Sequence, residues 1–371
     1  MSRLFSGVDI GPLRLENRIV IAPMCQFSAA AGQATDWHLM HLGNLALSGA
    51  GLLILESTAV TPEGRITYAD LGLWDDQTET ALARVIRAVR LHSDMPIGVQ
   101  LSHAGRKASS GLTPQEGTIP PDDPRGWRVV APSAVPLVAG GPDPMVLDLA
   151  GIDRVVAAFG AAATRAARAG LNLIELHGAH GFLMHQFLSP LSNLRSDEYG
   201  GSLENRIRLT VRIFDAVKAA VPADVAVGIR ISATDWAEGG WDLAQSIALA
   251  KVLDARGCAY IHVSGGGLDP DRQHLPPLEP GYQLPFAQAI RAEVAMPVIG
   301  VGLITQPAEA EAAIATGQAD LVALGRGMLF DPRWPWHAAA ELGATVRAPV
   351  QYLQCAPHGH KALFAPRSAE T

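Results

Sequence analysis

The chain has 371 residues, long for one ordinary domain but within the range of an α/β barrel carrying insertions. Apolar residues make up 48% and charged residues 18%, enough for a large core and against wholesale disorder. The formal net charge of −7 argues against nucleic acid as the main partner, because neutralising phosphates needs clustered Lys and Arg. No window reaches the roughly eighteen uncharged apolar residues of a membrane span. The opening "MSRLFSGVDIGPLRLENRI" lacks the apolar stretch of a secretory leader. Cys25, Cys258 and Cys355 are far apart and form no C-x-x-C pair, so neither a disulfide framework nor a cysteine zinc site is expected. These features together predict a soluble, cytoplasmic protein.

In chain order, eight short apolar or β-branched runs read as strands: "RIVIAP" (18–23), "GLLILE" (51–56), "PIGVQL" (96–101), "LNLIELH" (171–177), "VAVGIRI" (225–231), "CAYIHVS" (258–264), "PVIGVG" (297–302) and "DLVALG" (320–325). Their continuity, rather than alternation, is the pattern of strands covered on both faces. Ala-rich amphipathic segments at 78–92, 153–170 and 242–257 lie between strands, the last two ending in Gly170 and Gly257, placed as C′ helix stops. Strand–helix alternation implies parallel pairing, and eight units predict a (β/α)8 barrel, taken as a single domain over 1–371. Two segments break the repetition. A Pro/Gly-rich excursion over 104–147 is too long for a plain loop and reads as a cap over one barrel mouth. A tail, 345–371, follows the eighth unit and is expected to pack elsewhere, on another subunit for example. "LENRI" occurs at 15–19, entering a strand, and at 203–207, where Ser202 would cap a helix; the repeat is read as coincidence.

Barrel enzymes carry their chemistry at the carboxy ends of the strands. Here those ends hold Met24 and Cys25, Glu56 and Ser57, Gln100 and His103, His177 and His180, Arg230, Ser264 through Gly267, Gly300 and Gly302, then Gly325 and Arg326. Any one of these could merely satisfy a helix or strand terminus; so regular a set points to a site. After strands seven and eight, "GVGLIT" and "GRGM" supply glycines for close backbone approach and Arg326 for a bidentate pair, which suggests a bound phosphate. "GVGLIT" lacks the third glycine of a dinucleotide fingerprint, so the phosphate is assigned to a tightly bound mononucleotide. Gln100 and Arg230 could then address its polar ring system.

The stretch "IELHGAHGFLMHQFLSP" (174–190) sets His177 and His180 three apart in a glycine-rich turn. A zinc site needs three or four ligands; His185 is a poor third, and no carboxylate ligand is evident nearby. Core histidines are a second reading. The third is a pair of N–H donors aimed at one electronegative atom, which would activate a conjugated carbonyl for hydride addition.

The ordered motifs "NRIVIAPMCQFS" (17–28), "ATDWHLMHL" (34–42), "AVTPEGRIT" (59–67), "QLSHAGRKAS" (100–109), "HGAHGFLMHQFLSPLSN" (177–193), "RSDEYGGSLENR" (195–206) and "GRGMLFDPRWP" (325–335) resemble the old yellow enzyme family of FMN-dependent ene-reductases, in its bacterial "thermophilic-like" branch, over about residues 3–343. The resemblance implies FMN contacts from Ala22, Pro23, Met24, Cys25, Ser57, Gln100 and Arg230, with Gly302, Gly325 and Arg326 at the phosphate. It implies that Cys25 tunes the flavin, that His177 and His180 bind a substrate carbonyl or nitro oxygen, and that NAD(P)H reduces FMN and leaves before the substrate enters, so that no separate Rossmann domain is needed. A homo-oligomer, dimer or tetramer, is also implied.

Two departures stand in the substrate pocket. Relatives usually carry Tyr at Phe182, the proposed proton donor, and Tyr at Phe27. A general acid is typically worth ~10²–10⁴ in rate, so its loss implies slow or rerouted protonation, with water as the other source. In the tail, "QYLQ" puts Gln354 where relatives commonly have an arginine that reaches a neighbouring subunit. The expected function is therefore ene-reduction without the phenolic acid. The alternatives are quinone or nitro reduction, ketone desaturation, or a non-redox phosphate-binding barrel.

Overall fold

The eight apolar runs become the strands of one closed parallel barrel in the computed structural model, which describes residues 2–113, 115–269, 276 and 278–365. They are β1 (Ile19–Ile21), β2 (Leu52–Ala59), β3 (Ile97–Ser102), β4 (Leu173–Gly178), β5 (Ala226–Ser232), β6 (Ile261–Ser264), β7 (Val298–Val301) and β8 (Leu321–Leu324). Each strand pairs with its sequence neighbours and β8 pairs with β1, closing the ring. The runs look continuous because both faces are buried, yet a period of two persists within them. Val20, Ala22, Leu52, Ile54, Leu173, Ala226, Tyr260, Ile299, Leu321 and Ala323 form an inner apolar cluster of their own. Ile10 and Leu15, from a hairpin of Val8–Ile10 with Leu13–Leu15, join that cluster. At the other end the same inward rows turn polar.

Ten helices are described: α1 (Asp36–Ala46), α2 (Asp76–Arg90), α3 (Leu149–Arg168), α4 (Leu183–Leu188), α5 (Leu203–Ala220), α6 (Leu243–Asp254), α7 (Leu284–Arg291), α8 (Pro307–Ala315), α9 (Arg326–Phe330) and α10 (Trp334–Glu341). In α2 the residues Leu82, Val85, Ile86 and Val89 recur at helical spacing and are buried together. Asp75, Asp148, Ser202 and Asp242 accept N-cap bonds, each typically worth ~1 kcal/mol. Gly170 stands at C′ of α3 with φ +89°, as expected. Gly257 falls one residue later than expected, because α6 already caps at Ala255.

The excursion after β3 contains a 3-10 turn, Gly105–Lys107, and a two-residue parallel pairing of Val130–Ala131 with Met145–Val146. Ala104 and Ala108 join Phe182 in a small apolar cluster, with Ile66, Trp127 and Val129 against it. Within the chain, the tail residues Val346, Ala348 and Leu363 cluster with Trp336 and Ala339 of α10. Gln354 is exposed on the 3-10 helix Val350–Cys355, and the end of the tail, 366–371, lies outside the described residues. No helix among the described residues is long and apolar enough to cross a membrane.

Candidate active site

Strand register builds the site floor. It pairs Gln100 with Glu175, His177 with Arg230, and Arg230 with His262, on four consecutive strands. Glu175 is fully buried and accepts hydrogen bonds from Gln100 Nε2 (2.8 Å), Tyr260 Oη (3.2 Å) and His262 Nδ1 (2.9 Å). Burial alone would raise its carboxyl, but His262, Arg230 and Gln100 together hold it below the usual range. Arg230 is also buried and its guanidinium is pushed down by desolvation, with Glu175 the first charge opposing that. Arg230 Nε has no hydrogen-bond partner, an orphaned donor at the barrel mouth.

The "HGAHG" turn follows β4 directly. His180 adopts φ +56° and Gly181 φ +74°, a left-handed pair that turns the chain into α4. A Cβ at Gly181 would lie 2.3 Å from the Gly267 carbonyl oxygen, so only glycine fits. His180 N donates to Ser232 Oγ at 3.0 Å. Lys107 Nζ donates to the carbonyls of His180 (2.8 Å) and Gly267 (2.7 Å), tying the excursion after β3 to the turn. Gly181 N donates to His185 Nδ1 at 2.8 Å, and His185 Nε2 lies 2.8 Å from Asp235 Oδ1 in a buried contact.

The two rings meet edge-on with centroids 5.1 Å apart, and Phe182 packs on His177 at 4.3 Å. Burial, then the charge of Arg230, keeps both imidazoles well below their ordinary pKa and hence neutral. His177 Nδ1 accepts from Ala179 N at 3.3 Å, which leaves the ring proton on Nε2 as a donor. His180 differs. Its Nε2 lies 2.8 Å from Ser264 Oγ, whose own hydrogen goes to Gln283 Oε1 at 3.2 Å. Two equivalent donors were expected; the second N–H is engaged by Ser264.

A cavity of about 420 Å³ opens here, with Lys107, His180, Trp236, Ser264, Tyr282 and Arg326 in its wall. It joins the histidine turn to the ends of β6–β8, bringing Arg326 into the same space as His180. Gly302 has φ +137° beside Tyr282 and Gln283, and Gly325 faces the Met24 sulfur. Ala22 lies in the inner barrel cluster, and Pro23 leads from it into the loop carrying Met24 and Cys25. Burial, with the charges of Asp70 and Glu56, pushes the Cys25 thiol well up, so it is an uncharged thiol. Ser57 follows a register shift after Leu55 and its hydroxyl is 2.6 Å from Ser102 Oγ, an internal bond rather than an open one. Phe27 holds the strained φ of +48° in the same loop as Cys25.

Glu175, His262, Asp235 and Gln283 were missed by sequence reasoning. Glu175 carried a usable signal, a carboxylate inside the apolar run "LNLIELH" and two residues before His177, hence on the same strand face. Asp235 supplies the carboxylate near the histidine turn that the sequence did not reveal, but it serves His185. Among the described residues no group of three or more His, Cys, Asp and Glu is placed to hold a metal ion.

Together these residues define a barrel enzyme whose strand-end site suits an anionic, hydrogen-bonding cofactor. An orphaned guanidinium donor, a buried amide, glycine-lined ends of β7 and β8 and the nearby Arg326 fit the ring and phosphate of FMN. The profile of the NADH:flavin oxidoreductase / NADH oxidase family matches residues 3–344. The chain is 42% identical over 351 residues to an NADPH dehydrogenase of Geobacillus thermodenitrificans (strain NG80-2), covering 94% of this chain and 97% of that one. An NADPH dehydrogenase of Listeria innocua serovar 6a (strain ATCC BAA-680 / CLIP 11262) is 43% identical over 354 residues, covering 95% and 98%. The solved structure of morphinone reductase superposes with a TM-score of 0.77 at 30% identity, over 93% of this chain and 91% of that one. The chain belongs to the NADH:flavin oxidoreductase / NADH oxidase family, as its motifs implied, and is an FMN-dependent oxidoreductase. The non-redox alternative falls with that assignment.

Proposed function

We propose that the protein is an ene-reductase: it takes reducing equivalents from NAD(P)H and passes them to the activated C=C bond of an enone in the same cavity. The carrying observation is the neutral His177, whose Nδ1 is occupied by Ala179 N, so that its Nε2–H is a preset donor for a carbonyl oxygen. FMN supplies the hydride when bound. Around it, Gln100 and Arg230 would hold the ring, Gly302, Gly325 and Arg326 the phosphate, and Ala22, Pro23, Met24 and Cys25 the reactive edge. His177 and His180 stabilise the charge that grows on the substrate oxygen, a contribution of ~10²–10³ in rate per donor. The NADPH dehydrogenase names of the relatives support a nicotinamide reductant for this chain as well.

Phe182 gives the site no acid. Its ring lies in the apolar cluster with Ala104 and Ala108, so the proton for the substrate's α-carbon comes from solvent through the cavity. The same observation favours a second reading, reduction of quinones or nitro compounds, which needs no phenolic proton. The test of the histidine role is titration of a phenolic ligand, which mimics the substrate oxygen over the flavin. His177→Ala is expected to weaken it by roughly tenfold or more, the loss of one charge-assisted bond; unchanged affinity removes the assignment. In this reading the chain is cytoplasmic and forms a homo-oligomer.

A further inference from the structure

Below the proposed chemistry, one buried side chain organises the floor of the barrel. Glu175 is 0% exposed and receives donors from two other strand runs: Gln100 Nε2 from β3, Tyr260 Oη from just before β6, and His262 Nδ1 from β6. On the strand between β4 and β6, Arg230 sits in register with both His177 and His262, and Glu175 is the foremost favourable charge acting on it. These contacts fix polarity as well as position. With its NH2 donating to Glu175, the Gln100 amide must turn its oxygen elsewhere. With Nδ1–H donating to Glu175, His262 keeps an unprotonated Nε2 that is buried without a partner, as Arg230 Nε is a donor without one. A carboxylate so fully satisfied, beneath groups so conspicuously unsatisfied, orients them for something above.

We propose that Glu175 is a positioning residue for the flavin: it orients Gln100 and His262, offsets the charge of Arg230, and thereby sets the reduction potential of the bound cofactor. This rests on the reading that Gln100 and Arg230 face the flavin. Reduction puts negative charge on the pyrimidine end of the ring, which a cation beneath it favours and a buried anion opposes. Removing the anion leaves Arg230 uncompensated and makes reduction easier.

The experiment is a dye-coupled reduction titration of Glu175→Gln, nearly the same shape without the charge, purified with FMN. The potential is expected to move positive, with reduced FMN favoured over oxidised FMN about tenfold relative to wild type, roughly 30 mV for a two-electron couple. An unchanged or more negative potential overturns the proposal. Glu175→Asp guards against a Gln variant that does not fold, because it keeps the charge but withdraws the carboxylate by one methylene. It is expected to bind oxidised FMN at least threefold more weakly and to shift the flavin absorption; wild-type affinity and spectrum in it overturn the positioning role. Arg230→Gln, which removes the cation, is run in parallel. If it shifts the potential and Glu175→Gln does not, the role of Glu175 alone fails. If neither shifts it, the placement of Arg230 under the flavin fails too.

Discussion

His180 Nε2 and Ser264 Oγ stand 2.8 Å apart, with the serine hydrogen directed to Gln283 Oε1, so the imidazole donates to a serine already in use. A substrate oxygen must compete with Ser264 for that N–H. Ser264→Ala should therefore tighten a phenolic ligand by roughly three- to tenfold, the net worth of one ordinary hydrogen bond. Spectral titration measures it. Weaker binding in the variant would mean that Ser264 aims His180 instead of competing for it.

The Phe182 ring centroid lies 4.3 Å from that of His177, the proposed donor to the substrate oxygen. Phe182→Tyr should speed the oxidative half-reaction with cyclohexenone, by up to about 10²-fold if protonation limits the wild type. Stopped-flow reoxidation of the reduced enzyme reads the rate directly. A wild type as fast as the variant would show that water already suffices.

Gly181 has no space for a side chain, because a Cβ meets the Gly267 oxygen at 2.3 Å and the Leu268 Cα at 3.0 Å. With φ at +74° the backbone is strained for any other residue. Gly181→Ala should cost at least about 1–3 kcal/mol in urea unfolding and displace His180. Wild-type stability together with wild-type ligand affinity would contradict the tight turn.

Burial pushes the Asp70 carboxyl up to about 7, against bonds from Thr67 and Ile66, while its ordinary value is 3.8. The folded state thus holds this proton more tightly than the unfolded chain does. Its contribution is fully present below about pH 4, is lost as pH rises to about 7, and is flat above. Asp70→Asn should flatten that decline and gain on the order of 1–3 kcal/mol relative to wild type at about pH 8. Denaturant titrations at several pH values check the slope; parallel curves for the two proteins would refute it.

The barrel was readable because every strand is a short apolar run between turn residues, and the strand-end polar groups marked the working face. "HGAH" could be singled out from its glycines and spacing alone. Its partners could not. Ser264 and Asp235 lie far along the chain from His180 and His185 and meet them only once the barrel closes. His262 was hidden in the same way, and Glu175, though legible on the face of His177, showed no partner until the register placed the two side chains 2.9 Å apart. The tail's intrachain packing was illegible for the opposite reason: its sparse apolar residues, Val346 and Leu363, lie far apart in sequence and find Trp336 together only through a parallel pairing that no periodicity announces.

The most direct measurement is anaerobic rapid mixing of the reduced protein with an enone, a quinone and a nitroaromatic in parallel, for wild type and His177→Ala. The account predicts saturable flavin reoxidation by the enone that falls by roughly 10²-fold or more in the variant. Reoxidation by quinone with none by enone, or an enone rate that ignores the loss of His177, would contradict it.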